Sequence, residues 1–209
     1  MFPINTLVPR AARLYSDRLA VWDGEAKFSF AELHARTCHL AGALAARGIR
    51  RGDRVGILDV NTHRYLEAYY ACAHIGAVLL PLNARLSARE IDYVLNEAGG
   101  KAMLVAAPFF DVFQAARPKL ASVETVLGWG GPLPPATDDY ETAIADASPV
   151  SEPVAVDPDE ISQIYYTSGT TGEPKGVCLT YGNMLTSAVD SIVGLGLSFA
   201  DRWLHAAPM

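Results

Sequence analysis

The sequence predicts an α/β fold in which a largely parallel sheet is flanked by helices. Short apolar runs alternate with longer segments whose apolar residues recur at helical spacing. Alternation of this kind requires parallel strands joined by right-handed crossovers. The chain of 209 residues, 50% hydrophobic and 19% charged, is also long and apolar enough to bury a substantial core.

The first long helix is predicted to begin at Ser29. Ser29 and Glu32 stand three apart, as in a capping box, and apolar residues then recur at helical spacing until Gly48 offers a stop. The strand "VGILDV" follows, then the helix "THRYLEAYYACAHIG", which Thr62 can cap, and then the strand "AVLLPL". The order of these elements is that of one crossover unit.

A second unit follows directly. Ser87 and Glu90 form another capping box before the helix "AREIDYVLNEA", which leads into the strand "KAMLVA". A further helix and strand end at "VETVLGW". We therefore predict that residues 1–129 form one α/β subdomain.

The composition changes after this subdomain. Residues 130–160 are rich in proline and acidic residues and predict a linker or surface excursion, with one weak helical patch from Tyr140 to Ala147. Residues 161–209 are predicted to carry a polar, glycine-rich loop between two apolar strands and to start an incomplete second sheet. Because the chain stops at Met209 inside the apolar strand "WLHAAPM", we expect a fragment whose exposed end favours a homo-oligomer.

Charge, targeting signals and cysteine content restrict the partners and the location that the sequence predicts. The net charge of -6 and the pI near 5.3 leave no basic surface for nucleic acid or an anionic membrane. Neither a signal peptide nor an integral membrane segment is apparent, which predicts a cytoplasmic protein. Cys38, Cys72 and Cys178 are odd in number and scattered, so reduced thiols are expected rather than a disulfide framework.

The stretch "TSGTTGEPKG", residues 167–176, has the composition of a phosphate-binding loop. It lies between two apolar runs that predict strands, Ile161–Tyr166 and Val177–Leu179. Its glycines let backbone N–H groups converge on an anion, its hydroxyls add donors, and Lys175 adds a positive charge. A polyphosphate, which has several oxygens and negative charges, matches this set of donors and the positive charge.

Two other interpretations of the loop are a Walker A motif and a flexible hairpin turn. The Walker A pattern fails, because Pro174 stands where its second glycine belongs and Gly176 follows the lysine. An ordinary kinase or GTPase loop is therefore disfavoured. A flexible hairpin turn is the alternative for any lone glycine-rich stretch.

The longer stretch "YYTSGTTGEPKGV" resembles the phosphate-binding motif of the adenylate-forming, or AMP-binding, superfamily. The segments "SFAELHARTCHLAGALAARGIRRGDRVGIL", "GAVLLPLNARLSAREIDYVLNEAG" and "LHAAPM" resemble the same family, so the likeness runs through most of the chain. "PLNARLS" is more similar to the acyl-CoA synthetase branch than to the amino-acid-activating one. The resemblance implies that the fold is the first part of the large N-terminal domain of an adenylate-forming enzyme.

The resemblance also implies a reaction and a set of site residues. ATP would activate a fatty or other carboxylic acid as an acyl-adenylate, and coenzyme A would then accept the acyl group. Thr167 would hold Mg²⁺, and Thr167 and Lys175 are the catalytic candidates. The residues implied to bind the ATP phosphates are Thr167, Ser168, Gly169, Thr170, Thr171, Gly172 and Lys175.

Parts of the family's machinery would lie beyond residue 209: the acidic metal ligand, the ribose-binding aspartate, the acyl pocket and the catalytic lysine. The chain alone is therefore expected to be inactive. Tyr181 stands where many relatives have histidine, so no role is transferred to it. Three alternatives stay open: an adenylation domain that loads an amino or aryl acid onto a carrier protein, a nucleotide-binding module without catalysis, and a phosphotransferase.

Two other side-chain groups were considered as sites. His34 and Cys38 lie four apart on one helix, but no third metal ligand stands at a suitable spacing. Tyr65, Tyr69 and Tyr70 fall at helical spacing, which predicts core packing rather than ligand stacking.

Overall fold

The computed structural model describes residues 3–167 and 173–207. Its strands are β1 (Leu19–Asp23), β2 (Ala26–Ser29), β3 (Arg54–Leu58), β4 (Val78–Pro81), β5 (Gly100–Ala106), β6 (Thr125–Trp129), β7 (Asp138–Asp139), β8 (Ile161–Thr167) and β9 (Lys175–Thr180). Its α-helices are α1 (Leu7–Leu14), α2 (Phe30–Ala46), α3 (His63–Ile75), α4 (Ala88–Ala98), α5 (Phe110–Ala116), α6 (Tyr140–Asp146) and α7 (Tyr181–Leu195).

Seven of the described strands form one sheet, in the order β7-β6-β5-β3-β4-β8-β9. Neighbouring strands are parallel except for β8 and β9, which form an antiparallel hairpin. Strands β1 and β2 pair separately. The predicted α/β class with a largely parallel sheet is confirmed.

Helices cover both faces of the sheet and bury one core on each. Helices α2, α3 and α6 supply the first core with residues such as Leu40, Tyr65 and Ile144. Helices α4 and α5 supply the second with residues such as Leu95 and Phe113. None of the helices in the described part of the chain combines the length and apolarity needed to cross a bilayer.

The helix starts predicted from the sequence are confirmed by hydrogen bonds. The hydroxyl of Ser29 accepts the Glu32 N–H at 3.2 Å, and the Glu32 carboxylate accepts the Ser29 N–H at 2.7 Å. Ser87 and Glu90 repeat this reciprocal arrangement at α4. Thr62 caps α3. Each cap is worth about 1 kcal/mol, so the helix boundaries are encoded locally.

Residues 130–160, predicted as a linker or surface excursion, carry β7 and α6. Beyond α6, the segment 148–154 crosses the helices of the first core. The Val150 N–H donates to the Cys38 carbonyl at 3.0 Å, and the His74 Nε2 lies 2.8 Å from the Val150 carbonyl. The crossing is close enough to require a glycine beneath it, since a Cβ on Gly42 would lie 2.0 Å from the Ser148 oxygen.

The end of the chain differs from two expectations. First, residues 161–180 do not begin a second sheet. Strand β8 pairs in parallel with β4 at Leu79 and Gln163, and Ile164 and Tyr166 pack against the second core, so apolar packing draws the hairpin into the existing sheet. The division of the chain at residues 129 and 160 stays a prediction.

Second, the expected strand "WLHAAPM" does not form within the described residues up to Ala207. The side-chain amide of Asn61 instead donates to the carbonyls of His205 at 3.3 Å and Ala207 at 2.6 Å. These bonds use backbone acceptors that a strand would offer to a neighbouring strand. The segment leaves Trp203 and Leu204 largely exposed.

A buried ion pair joins three helices of the first core. The Glu67 side chain on α3 is fully buried and lies 2.5 Å from Arg36 Nε on α2. The Tyr140 hydroxyl on α6 donates to the same carboxylate at 2.7 Å. Arg36 also contacts Glu141, which pairs with Arg64 at 2.6 Å. The network is therefore a polar link between α2, α3 and α6.

Candidate functional site

Thr167 and Lys175 face each other at the loop end of the β8–β9 hairpin. They are directly paired in the antiparallel register, which brings cross-strand Cβ atoms to about 5 Å. Because side chains alternate along a strand, Thr167 and Lys175 share a face with Tyr165 and Gln163. The opposite face carries Ile164 and Tyr166, so the predicted catalytic pair projects on the side of α3.

Both side chains are available to a ligand. Thr167 and Lys175 are exposed, and within the described ranges neither the Thr167 hydroxyl nor the Lys175 ammonium has a hydrogen-bond or ion-pair partner. An exposed cation beside an exposed hydroxyl suits a polyanion. The remaining predicted phosphate-binding residues lie outside the described part of the chain: Ser168, Gly169, Thr170, Thr171 and Gly172. Their role stays a prediction.

Tyrosine hydroxyls connect the hairpin to the helices on both of its faces. The Tyr165 hydroxyl lies 2.7 Å from the Tyr69 hydroxyl of α3 and donates to Gln163 Oε1 at 2.9 Å. On the other face, the Tyr93 hydroxyl of α4 donates to the Pro174 carbonyl at 3.3 Å. The helical spacing of Tyr69 predicted core packing, and no motif in the sequence marks Tyr93 or Tyr165 as a site residue. The only available signal was that Tyr165 stands two residues before Thr167.

The site lies at the carboxyl edge of the parallel strands, where α/β proteins usually bind ligands. Asp59, directly after β3 at this edge, is 5% exposed. Burial raises the pKa of its carboxyl, although hydrogen bonds from the Thr62 hydroxyl and the Val60 N–H act in the opposite direction. Since these bonds hold the start of α3, Asp59 has a structural explanation.

The described residues do not form a metal site made of protein side chains alone. His34 Nε2 lies 3.3 Å from Cys38 Sγ, but no group of three or more His, Cys, Asp or Glu side chains in the described residues is placed to hold a metal. Mg²⁺ at nucleotide sites takes most of its ligands from phosphates and water, with only one or two from the protein. The exposed Thr167 hydroxyl fits such a single ligand.

Comparison with known proteins gives the chain a family. Its sequence matches the AMP-binding enzyme family over residues 8–209. It is 36% identical over 200 residues to a feruloyl-CoA synthase of an Amycolatopsis species, covering 96% of this chain and 38% of that protein. It is 32% identical to a long-chain-fatty-acid–CoA ligase of Mycobacterium tuberculosis, covering 88% of this chain and 36% of that protein. The chain thus spans less than two fifths of these relatives.

The solved structures that resemble this chain are enzymes of the same kind as its sequence relatives. The inhibitor-bound N-terminal domain of FACL13 from Mycobacterium tuberculosis is similar with a TM-score of 0.89 at 29% identity, covering 100% of this chain and 52% of that one. An o-succinylbenzoate CoA synthetase from Bacillus subtilis, in complex with its acyl-adenylate intermediate, has a TM-score of 0.80 at 31% identity, covering 99% and 50%. The match extends through the hairpin that carries Thr167 and Lys175, and the chain belongs to the family of AMP-binding enzymes.

Proposed function

We propose that the protein is an ATP-dependent ligase that joins a carboxylic acid to coenzyme A, and that this chain supplies its phosphate-binding hairpin. The observation that carries the proposal is the cross-strand pair of Thr167 and Lys175, exposed at the carboxyl edge of the sheet and without a partner among the described residues. The names of the similar proteins support acid–CoA ligation.

The reaction divides into two displacements. In the first, a carboxylate oxygen of the acid attacks the α-phosphorus of ATP, and the bond to the bridging oxygen breaks with its electron pair leaving on pyrophosphate. In the second, the thiol of coenzyme A, losing its proton, attacks the acyl carbon of the adenylate, and AMP leaves. Both products of the first step carry negative charge close to the hairpin.

The described residues act on the departing pyrophosphate. The Lys175 ammonium would interact with charge that grows on the leaving group, which would favour the transition state over bound ATP. The Thr167 hydroxyl, directly opposite, would hold one coordination position of Mg²⁺. When bound, Mg²⁺ supplies charge neutralisation at the phosphate oxygens. The two residues would therefore act on the same group from opposite strands.

The acid is proposed only as a class. The similar proteins are named for feruloyl, long-chain fatty and o-succinylbenzoate substrates, which share a carboxylate on a largely apolar body. We infer an aryl or fatty acid of this kind. Coenzyme A is proposed as the acceptor over a carrier protein, because all three names specify it.

Lys175→Ala in the full natural protein tests the proposal. Loss of a charge-assisted contact worth roughly 1.5–3 kcal/mol should lower the rate of acid-dependent pyrophosphate release by about ten- to 150-fold at subsaturating ATP. Lys119→Ala is the matched control, since Lys119 is exposed, pairs with Asp92 at 3.7 Å and lies beside the C-terminal end of α4, at the opposite edge of the sheet. Equal rates for both variants would contradict the role of Lys175.

Product analysis tests the reaction class. The expected products are AMP and pyrophosphate, formed only when an acid is present, followed by an acyl-CoA thioester when coenzyme A is added. ADP as the product would identify a phosphotransferase instead. Adenylate formation followed by transfer to a phosphopantetheine carrier but not to coenzyme A would favour a carrier-loading adenylation domain.

A further inference from the structure

We propose that Tyr69 and Tyr165 are positioning residues that determine where Thr167 and Lys175 stand, by tying the site-bearing face of β8 to α3. The inference rests on the proposed function, because it assigns these tyrosines a role in the same reaction. Neither tyrosine would touch the substrate.

The backbone pairing between the hairpin and the rest of the sheet lies near the start of β8. In the described chain, the ladder between β4 and β8 is in register at one pair, Leu79 and Gln163, four residues before Thr167. Beyond Gln163, β8 is paired only with β9, which is itself the edge strand. Beyond that pair, side-chain contacts connect the hairpin to the helices: apolar packing and the Tyr93 bond on one face, and the Tyr69–Tyr165 contact on the face of Thr167 and Lys175.

The tyrosine contact supplies that connection on the correct face. Gln163, Tyr165 and Thr167 alternate onto the side of the sheet that α3 covers. The Tyr165 hydroxyl donates to Gln163, so the Tyr69 hydroxyl donates to Tyr165 across 2.7 Å. The two hydroxyls therefore form a chain of hydrogen bonds from α3 to β8, which it reaches at Tyr165, two residues before Thr167.

The chain of hydroxyls is stable against titration. Burial raises the pKa of Tyr69, and the contact with Tyr165 raises it further. Burial also raises the pKa of Tyr165, while its contact with Tyr69 acts in the opposite direction. Both hydroxyls keep their protons throughout the physiological range, so the contact persists wherever the enzyme would work.

Tyr65 provides a matched control on the same helix. It lies one turn before Tyr69, with the two rings 5.6 Å apart, and is 1% exposed. Its buried hydroxyl has no hydrogen-bond partner among the described residues. Tyr65→Phe therefore removes the same atom as Tyr69→Phe, from the same helix, without breaking a described hydrogen bond.

The experiment measures pyrophosphate release against ATP concentration in the full natural protein. Tyr69→Phe is expected to lower kcat/KM for ATP by about two- to tenfold, the effect of one neutral hydrogen bond. Tyr165→Phe, which also removes the bond to Gln163, should lower it at least as much. The double variant should be no worse than Tyr165→Phe, because one contact is shared. Tyr65→Phe should match the unaltered protein.

A second comparison separates positioning from general stability. In a Lys175→Ala background, Tyr69→Phe should have a smaller effect than in the unaltered protein, because one of the two side chains it positions is gone. A merely structural role would give the same fold-reduction in both backgrounds, which would overturn the inference. It would also be overturned if Tyr69→Phe and Tyr165→Phe behaved like Tyr65→Phe while Lys175→Ala remained impaired; the proposed function would then stand. Absence of acid-dependent pyrophosphate release in the unaltered protein would overturn both.

Discussion

Replacing Arg36 by alanine is expected to leave a buried carboxylate without its ion-pair partner. The Glu67 side chain is 0% exposed and Arg36 is 21% exposed, with Nε 2.5 Å from Oε1. The second partner of Glu67, the Tyr140 hydroxyl at 2.7 Å, would remain but carries no charge. The carboxylate would then keep its full desolvation cost and lose most of the attraction that offsets it.

The expected loss is about 3 kcal/mol of unfolding free energy. Breaking a buried pair by removing one partner costs about 3–5 kcal/mol, and the retained Tyr140 bond places this case at the lower end. Arg36 also pairs with Glu141, which is 41% exposed, and such exposed pairs add at most about 1 kcal/mol. Arg47→Ala is the matched control: its pair with Asp138, 62% exposed, should cost less than about 1 kcal/mol.

Urea unfolding of the 209-residue chain, followed by far-ultraviolet circular dichroism at neutral pH, measures both variants. The slope with urea should stay constant, so that the shift in midpoint reports stability alone. Adding Glu67→Gln to Arg36→Ala should restore part of the loss, because a neutral amide costs less to bury than an unpaired charge. If Arg36→Ala were no more destabilising than Arg47→Ala, the assignment of Glu67 as a buried charge held by Arg36 would be wrong.

Three further predictions concern the site, the packing and the pH dependence. Thr167→Val should raise the Mg²⁺ concentration needed for half-maximal adenylation, and superimposable Mg²⁺ titrations would make Thr167 structural. Gly42→Ala should destabilise the chain by about 1–3 kcal/mol in urea unfolding, because its Cβ would meet a backbone oxygen at 2.0 Å, whereas Gly194→Ala, with open space around it, should be neutral or stabilising. Burial lowers the pKa of His34 and His74 below 6.5, so the unfolded chain binds more protons than the folded chain. The free energy of unfolding should therefore fall as the pH drops below about 6.5. A His34→Asn/His74→Gln variant should show a weaker dependence of stability on pH.

Local sequence signals predicted the helices and strands of the first part of the chain well. A capping box needs only residues three apart, and Ser29 with Glu32 forms one in the structure. The same holds for Ser87 with Glu90. The strand periodicity also predicted a parallel sheet, because helical crossovers leave few other topologies. These features depend on neighbours along the chain and are visible in the sequence.

Sheet membership depends on contacts that the sequence does not display. The hairpin was expected to start a second sheet, because residues 130–160 interrupt the alternation of strands and helices. In the structure, Gln163 pairs with Leu79, far away along the chain, and β8 joins the first sheet. A non-local pairing of this kind leaves no periodic signal, since β8 is equally apolar in either sheet.

The same difference applies to the candidate site: the sequence shows its residue types, but their position depends on contacts between distant parts of the chain. The residue types from 167 to 176 indicate phosphate binding by themselves, because glycine, hydroxyl and lysine side chains suit an anion wherever they stand. Where the pair of Thr167 and Lys175 stands is decided elsewhere. Tyr69 and Tyr165 are 96 residues apart, and at helical spacing Tyr69 is indistinguishable from a core tyrosine such as Tyr65.

Tyr65 and Tyr69 differ in the hydrogen bonding of their hydroxyls within the described residues. Both rings pack on α3 against the first core, and ring burial alone would be served equally well by phenylalanine. For Tyr65, the buried hydroxyl has no described partner and gains nothing that offsets its desolvation. For Tyr69, the hydroxyl meets the strand that carries Thr167. A hydroxyl that packing does not require, placed beyond the last backbone pair between β8 and β4, is explained by the proposed need to hold Thr167 and Lys175 in position.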